Sequence, residues 1–407
     1  MTDPAPAAHS ASSLETIADR EFPRVRCDGV SYLNSASTGP LPESALRALA
    51  EFNDLRAEPW KISQEMQFGT VARSRALIAR LVGASANEIA LMTNTSYGLN
   101  LAARALPFAP GDVVLTSDRE YPANIYPWMA TERHRGIHFD RIPCMGRLVD
   151  EEAILAALDR PKVRALVLSW VSFATGYRVD LGRLGRACRA RGIWFIVDAI
   201  QGVGTVPLDL AHLEVDILAC GAQKWLHSPW GTGFVYVRQE LIARLEPVDV
   251  SWMAVRDSDD FTRMLEYDFV YRDNARRFEV ITLPFQEFAG LNASLDLFFE
   301  VGPDAVFQRV AALTTRIVEW AQSRHDMRHG MRHGMRHDMR LVTPACPSRR
   351  GGIVAVVPLD PVRASERLTA LGVTHSLREG AIRLSPHWFT PSEHVEVALS
   401  ALEESAG

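Results

Sequence analysis

The chain has 407 residues, a mass of 45.2 kDa, 47% hydrophobic and 23% charged residues, and a formal net charge of -5. That composition describes a globular protein large enough to bury a core without staples, and it excludes a basic nucleic-acid surface or an acidic solvating tail. No stretch approaches the roughly 20 apolar residues of a membrane span, and five scattered cysteines without a CxxC exclude a disulfide framework and a zinc cluster and fit a reducing cytoplasm.

Residues 1–20 begin with a run rich in Ala, Pro and Ser and read as a flexible segment rather than a signal peptide. From about residue 65 to 240, helical stretches alternate with short apolar runs. Helices are predicted over 71–82, 96–106, 122–135, 151–158 and 181–191. Strands are predicted over 89–92, 113–116, 163–169, 194–197, 217–220 and 233–237. Short apolar runs between helices indicate a mainly parallel sheet covered on both faces. Ligands of such sheets sit at the carboxyl ends of the strands. A long helical pattern follows over 287–299 and continues over 306–323. Beyond residue 341, strands over 352–357 and 381–385 and helices over 361–371 and 392–400 predict a smaller α+β domain. The predicted organisation is a large domain over 21–300 with an N-terminal substrate-loop segment, and a small domain over 301–407.

A tetrapeptide repeat, HDMRHGMRHGMRHDMR, occupies residues 325–340. His325, His329, His333 and His337 would align on a helix, as metal ligands can. No acidic support surrounds them, so the tract reads as a low-complexity loop and no metal site is expected.

Only three of the 44 basic residues are lysines: Lys61, Lys162 and Lys224. Each invites the question of what only a primary amine can do, since arginine forms no Schiff base. Asp198 ends one apolar strand, and Lys224 closely follows another. Both side chains are expected at one edge of the sheet. A carboxylate and an amine placed there match the needs of pyridoxal 5′-phosphate (PLP): the amine forms the Schiff base, and the carboxylate pairs with the pyridinium nitrogen. The alternative, a buried ion pair of purely structural role, is costly. Gly202-Val203-Gly204 lacks the third glycine and the helix of a dinucleotide loop, and Gly231-Thr232-Gly233 reads as close backbone packing before a strand.

With Asp198-Ala199-Ile200-Gln201 and Gly221-Ala222-Gln223-Lys224 in place, the chain resembles the class V aminotransferase group of fold-type I PLP enzymes. That group includes cysteine desulfurases, kynureninase and isopenicillin N epimerase. The resemblance runs from Tyr32-Leu33-Asn34-Ser35-Ala36 to Ala381-Ile382-Arg383-Leu384-Ser385. It implies that Lys224 is the Schiff-base lysine, Asp198 the pyridinium partner and Gln201 a contact of the ring's phenolic oxygen. It implies that Thr95 and Ser96, at a helix start, bind the phosphate, which the charge and free N–H groups of a helix N-terminus favour. Simple N-capping would leave the same local sequence. Tyr121 matches the residue that stacks on the ring, and as a tyrosine it is a weaker proton relay than histidine. Thr282 matches a residue whose hydroxyl reaches a phosphate across a dimer interface. Arg383 matches the arginine that grips the substrate α-carboxylate. Asn34, Ser35, Ala36, Trp60 and His387 are expected to shape the substrate pocket, with Asn34 and Ala36 as substrate contacts.

The departures narrow the reaction. Gly221 and Gln223 stand where relatives often have Ser and His, so one phosphate hydroxyl is lost and Gln223 is expected to compensate. Phe173 stands where desulfurases have an asparagine. The stretch 372–383 lacks the cysteine that carries a desulfurase's persulfide. The resemblance therefore implies a cytoplasmic, homodimeric PLP enzyme acting on an amino acid, with transamination as the first expectation. Cα epimerisation and C–S β-elimination remain as alternatives, and a non-catalytic PLP-fold binding protein is the competing class.

Overall fold

The computed structural model describes residues 11–27, 29–326 and 339–404. Its strands, in chain order, are β1 (Ser31–Tyr32), β2 (Ile89–Met92), β3 (Val113–Ser117), β4 (His138–Ile142), β5 (Val163–Ser169), β6 (Trp194–Asp198), β7 (Ile217–Gly221), β8 (Gly233–Val237), β9 (Arg340–Leu341), β10 (Val354–Val357), β11 (Val373–Thr374), β12 (Ser376–Arg378) and β13 (Ala381–Leu384). The central sheet has seven strands in the order β2-β8-β7-β6-β5-β3-β4. Only β8 runs against the rest, pairing antiparallel with both β2 and β7. The fold is thus α/β with a mainly parallel central sheet, as the sequence pattern predicts.

Successive side chains of a strand point to opposite faces. Leu166, Phe195 and Leu218 therefore enter one core, packed by the helices Gln64–Val82, Leu181–Arg189 and Phe285–Val301. Val167, Ile196 and Ala219 enter the other, under the helix Thr95–Ala105. Burial on both faces explains why these strands read as continuous apolar runs rather than as alternating patterns.

Several expectations change. Residues within the segment predicted to be flexible form a helix, Ala11–Glu21, whose Ile17 and Ala18 are buried with Phe22, Leu297 and Phe298. The helix predicted over 71–82 begins at Gln64, where the Ser63 hydroxyl accepts the Met66 N–H and caps it. The stretch 122–135 is two elements, a 3₁₀ turn Pro122–Asn124 and the helix Tyr126–Arg135. The helix Phe285–Val301 does not continue; Gly302, at φ 87°, separates it from Pro303–Asp326. The helix Glu43–Ala57 and the edge strand β4, half exposed and polar, carry patterns too weak for the sequence reading.

The C-terminal part carries the antiparallel sheet β12-β13-β10-β9, covered by the helices Pro361–Ala370 and Ser392–Glu404. The N-terminal segment joins it: β1 pairs parallel with β11, and Leu33 lies in the core of this part. Residues 31–36 thus lie against the C-terminal part, although the sequence reading groups them with the large domain. Residues 327–338 of the repeat lie outside the described residues. Among the described residues, no group of three or more His, Cys, Asp or Glu could hold a metal ion, and no helix is long and apolar enough to cross a membrane.

Candidate active site

A cavity of about 300 Å³ opens at the carboxyl edge of the central sheet. It is lined by Asn94, Thr95, Ser96, Tyr121, Phe173, Asp198, Gln201, Gln223 and Lys224, with Ser37 entering from the N-terminal segment. The chain direction explains the gathering. Strands β5 and β6 run parallel, so Ser169 and Asp198 stand side by side at their ends. Strand β7 ends at Gly221, and the turn after it delivers Lys224 to the same edge.

Asp198 is 3% exposed. Its Oδ1 accepts the Ile200 N–H at 3.1 Å; among the described residues no donor meets Oδ2. Burial raises its pKa to about 6, opposed by the Ile200 N–H and the Lys224 charge. Burial lowers the Lys224 amine to about 8, Asp198 pulls it back up, and Arg383 and Arg378 push it down further. An amine near 8 is neutral in about a tenth of molecules at pH 7, against well under a thousandth for an ordinary lysine. The pair is therefore a partly neutral amine sharing one cavity with a buried carboxyl group whose Oδ2 meets no donor among the described residues.

The helix Thr95–Ala105 starts at the cavity wall. Asn94 is its cap, its side chain accepting the Tyr97 N–H at 2.9 Å. Capping thus falls to Asn94 rather than to Thr95 or Ser96. Thr95 is buried and its hydroxyl accepts the Gly221 N–H at 2.8 Å, tying the helix start to the end of β7. Ser96 is exposed to the cavity. The first N–H groups of this helix point where an anion would sit. A side chain at Gly221 would collide with the Gln223 amide oxygen and crowd the Thr95 hydroxyl. The two departures from the family pattern therefore fit each other: Gln223 occupies room that a serine at 221 would need.

Tyr121 is half exposed. Its ring packs edge-on against Phe173, with centroids 5.1 Å apart, and the Lys224 Nζ lies 5.9 Å from its centroid. One ring face is left toward the cavity, as stacking requires. Gln201 lines the cavity, but its amide is committed to the protein. It donates to the Ala36 carbonyl at 3.0 Å and accepts the Trp225 indole N–H at 2.8 Å. Its second N–H is the group free for a ring oxygen.

Arg383 is 2% exposed. It donates to the Phe173 carbonyl at 2.8 Å and to the hydroxyls of Ser37 at 2.7 Å and Ser376 at 3.3 Å, while its Nε–H has no partner. Asn34 does not line the cavity; its Oδ1 accepts from Ser37 at 2.8 Å and from Ser376 at 2.7 Å, so it positions the hydroxyls that hold Arg383. Ala36 acts through its carbonyl on Gln201. Ser35 is buried, with its hydroxyl unpartnered. Neither Trp60 nor His387 lines the cavity: Trp60 is 77% exposed, and His387 is buried and bonded to the Trp225 carbonyl at 3.1 Å. Thr282 is exposed and lines no part of the cavity.

Sequence reasoning missed Glu120. Its carboxylate accepts the Ser169 N–H at 3.1 Å, the Ser169 hydroxyl and the Asn124 amide at 3.1 Å, which pins the Tyr121 turn to the end of β5. Burial raises it to about 7, against those bonds and with Asp198 adding repulsion. The available signal was the pair Glu120 and Asn124 bracketing Tyr121.

An electron-accepting aromatic cofactor with a phosphate and a carbonyl fits this donor set. The free Oδ2 of Asp198, the helix start at Thr95 and Ser96, the open face of Tyr121 and the activated amine of Lys224 surround one cavity. The family model described as aminotransferase class V matches residues 31–341. The chain belongs to the class V aminotransferase family, whose cofactor is PLP. A probable cysteine desulfurase of Methanothermobacter thermautotrophicus is 27% identical over 412 residues, covering 95% of this chain and 97% of the relative. Isopenicillin N epimerase of Streptomyces clavuligerus is 29% identical over 393 residues, covering 93% and 95%. Among solved structures, a cysteine desulfurase of Thermococcus onnurineus NA1 superimposes with a TM-score of 0.82 at 21% identity, over 98% of this chain and 99% of that one. The cystine C–S lyase C-DES, bound to cysteine persulfide, gives 0.82 at 24% identity over 94% and 99%. At these identities the structures establish the fold alone.

Proposed function

We propose that the protein is a cytoplasmic, homodimeric PLP-dependent enzyme that acts on the α-amino group of an amino acid, with transamination as its reaction. The observation that carries the reading is Lys224, an amine lowered to about 8 in a cavity it shares with the buried Asp198. When bound, PLP supplies an aldehyde that condenses with amines and a ring that takes up the electron pair left at Cα. The rest is the work of this chain. Asp198 holds a cationic N–H at Oδ2. The helix start at Thr95 and Ser96, with Gln223, holds the phosphate. Tyr121 covers one ring face. Arg383 holds the α-carboxylate and so fixes which Cα bond stands ready to break. Lys224 Nζ takes the Cα proton and returns it elsewhere.

No cysteine lines the cavity, and Cys220, buried behind Lys224, is pushed far up by burial. A thiol-based persulfide step therefore has no carrier here, which favours proton chemistry over desulfuration. Epimerisation is the second reading, supported by the epimerase relative that spans 93% of this chain. The dimer reading draws support from Thr282, exposed and outside its own cavity, and from exposed Leu265, Tyr267 and Phe269. A monomeric mass in solution would remove it. All five cysteines are unpaired, which supports a reducing compartment.

The test incubates the PLP-loaded protein with pooled L-amino acids in heavy water, with and without a 2-oxo acid, read by mass spectrometry. Consumption only with the acceptor present is the expected result. Consumption without it would show a lyase, Cα deuterium without consumption an epimerase, and silence in both runs would favour a binding protein.

A further inference from the structure

Beyond Phe173 lies a second cavity of about 260 Å³, lined by Asp118, Arg119, Glu120, Arg147, Ser172, Thr175 and Glu379 among others. Phe173 lines both cavities, and its carbonyl is the acceptor of Arg383. The hairpin β12–β13 spans the two. Its stem carries Arg383, which does not itself line the first cavity but is bonded to two residues that do, Phe173 and Ser37, and its turn carries Glu379, at φ 49°, to the second. A substrate whose α-carboxylate meets Arg383 therefore has the second cavity next door.

The charges in that cavity are not symmetrical in availability. Asp118 accepts the Cys144 N–H at 3.0 Å, and Glu120 is occupied by Ser169 and Asn124. Glu379 is exposed at the hairpin turn. Arg119 and Arg147 make no ion pair among the described residues, and Arg147 is half-buried. Two of the three acids accept N–H or O–H groups of the protein, while among the described residues the two guanidinium groups make no ion pair and keep their forks free. Guanidinium pairs best with a planar oxyanion.

We propose that this second cavity receives the far end of the substrate side chain, and that this end carries a carboxylate: the substrate is a dicarboxylic amino acid. The inference rests on the reading of the first cavity as a PLP site for an amino acid. Phe173 lets the aliphatic middle of the side chain pass, and Arg147, with Arg119, receives the distal carboxylate.

The experiment titrates PLP-loaded protein with L-aspartate, L-glutamate and L-2-aminoadipate, and with neutral analogues of matching length such as L-norvaline and L-norleucine. The readout is the change in the cofactor's visible absorption. At least one dicarboxylic amino acid is expected to bind about tenfold or more tightly than its neutral analogue. In Arg147→Met that ratio falls toward one, and in Arg147→Lys much of it returns. Equal binding of charged and neutral analogues by the unsubstituted protein overturns the inference, whatever the variants do. So does an Arg147→Met ratio that stays unchanged, or a holoprotein whose spectrum responds to no dicarboxylic amino acid. A protein that shows no Lys224-dependent absorption band at all refutes the underlying PLP reading instead, so the two failures are distinguishable.

Discussion

The two sides of the active-site cavity are built differently. The cofactor side rests on strand ends and a helix start: Asp198 closes β6, Lys224 follows β7, and Thr95 opens a helix, all at the carboxyl edge of one sheet. The substrate side is a lattice of distant partners. Ser37 of the N-terminal segment holds Arg383 of the C-terminal hairpin, with Asn34 and Ser376 behind them. Regular elements fix the first side to the sheet; the second exists only when the two ends of the chain meet. On the proposed reading, the cofactor would be held by the sheet, whereas the choice of substrate would depend on long-range closure. Specificity can then vary without disturbing the catalytic floor.

The comparison can be broken at its base. Lys224→Ala should reduce turnover by about a thousandfold or more, because both the amine and the proton carrier vanish. A steady-state assay on the PLP-reconstituted variant checks it. Asp198→Ala should cost about a hundredfold in kcat with folding retained, since the carboxylate stabilises charge that develops during reaction. Circular dichroism beside the assay separates the two effects.

On the substrate side the change should fall elsewhere. Arg383→Lys removes a planar fork from the Ser37 and Ser376 hydroxyls and should raise KM about tenfold while moving kcat less. If kcat fell as far as in Asp198→Ala, the division between the two sides would fail.

Smaller effects sharpen the account. On the proposed reading, capture of PLP would require the Lys224 amine in its neutral form. With its folded pKa lowered to about 8, it is protonated below that value and neutral above it. Cofactor capture by the apoprotein, followed by absorption, should therefore rise about fivefold from pH 7 to 8 and level off above 9. Gly39 donates its N–H to the Gln223 carbonyl at 2.9 Å, and a methyl group there would collide with the Lys224 carbonyl. Gly39→Ala should cost about 1–3 kcal/mol in chemical denaturation and weaken PLP retention.

The same division explains what was legible in the sequence. Asp198 and Lys224 announce themselves because one apolar strand buried on both faces ends at Asp198, Lys224 follows closely after another, and lysine is rare in this chain. The strand–turn–helix pattern places Thr95 and Ser96 at a helix start, and their role there comes from the family resemblance; the six parallel strands follow from their apolar runs, except β4, whose exposed and polar residues hide it. Nothing local shows that Asn34 acts through Ser37, or that Glu120 pins Tyr121 to Ser169, since those bonds join residues brought together only by folding. Gln201 shows the same limit: its position is legible, but the commitment of its amide to Ala36 and Trp225 is not. The helix Ala11–Glu21 escapes notice because its burial comes from Leu297 and Phe298, far along the chain.

The most direct test of the central claim uses the scarcity of lysine. PLP-loaded protein is treated with borohydride, which fixes the cofactor on the amine that holds it, then digested and mapped by mass spectrometry. The account predicts that the pyridoxyl mass appears on the peptide containing Lys224 and that the Lys224→Ala variant carries none. Labelling of Lys61 or Lys162 with Lys224 left unmodified would contradict it.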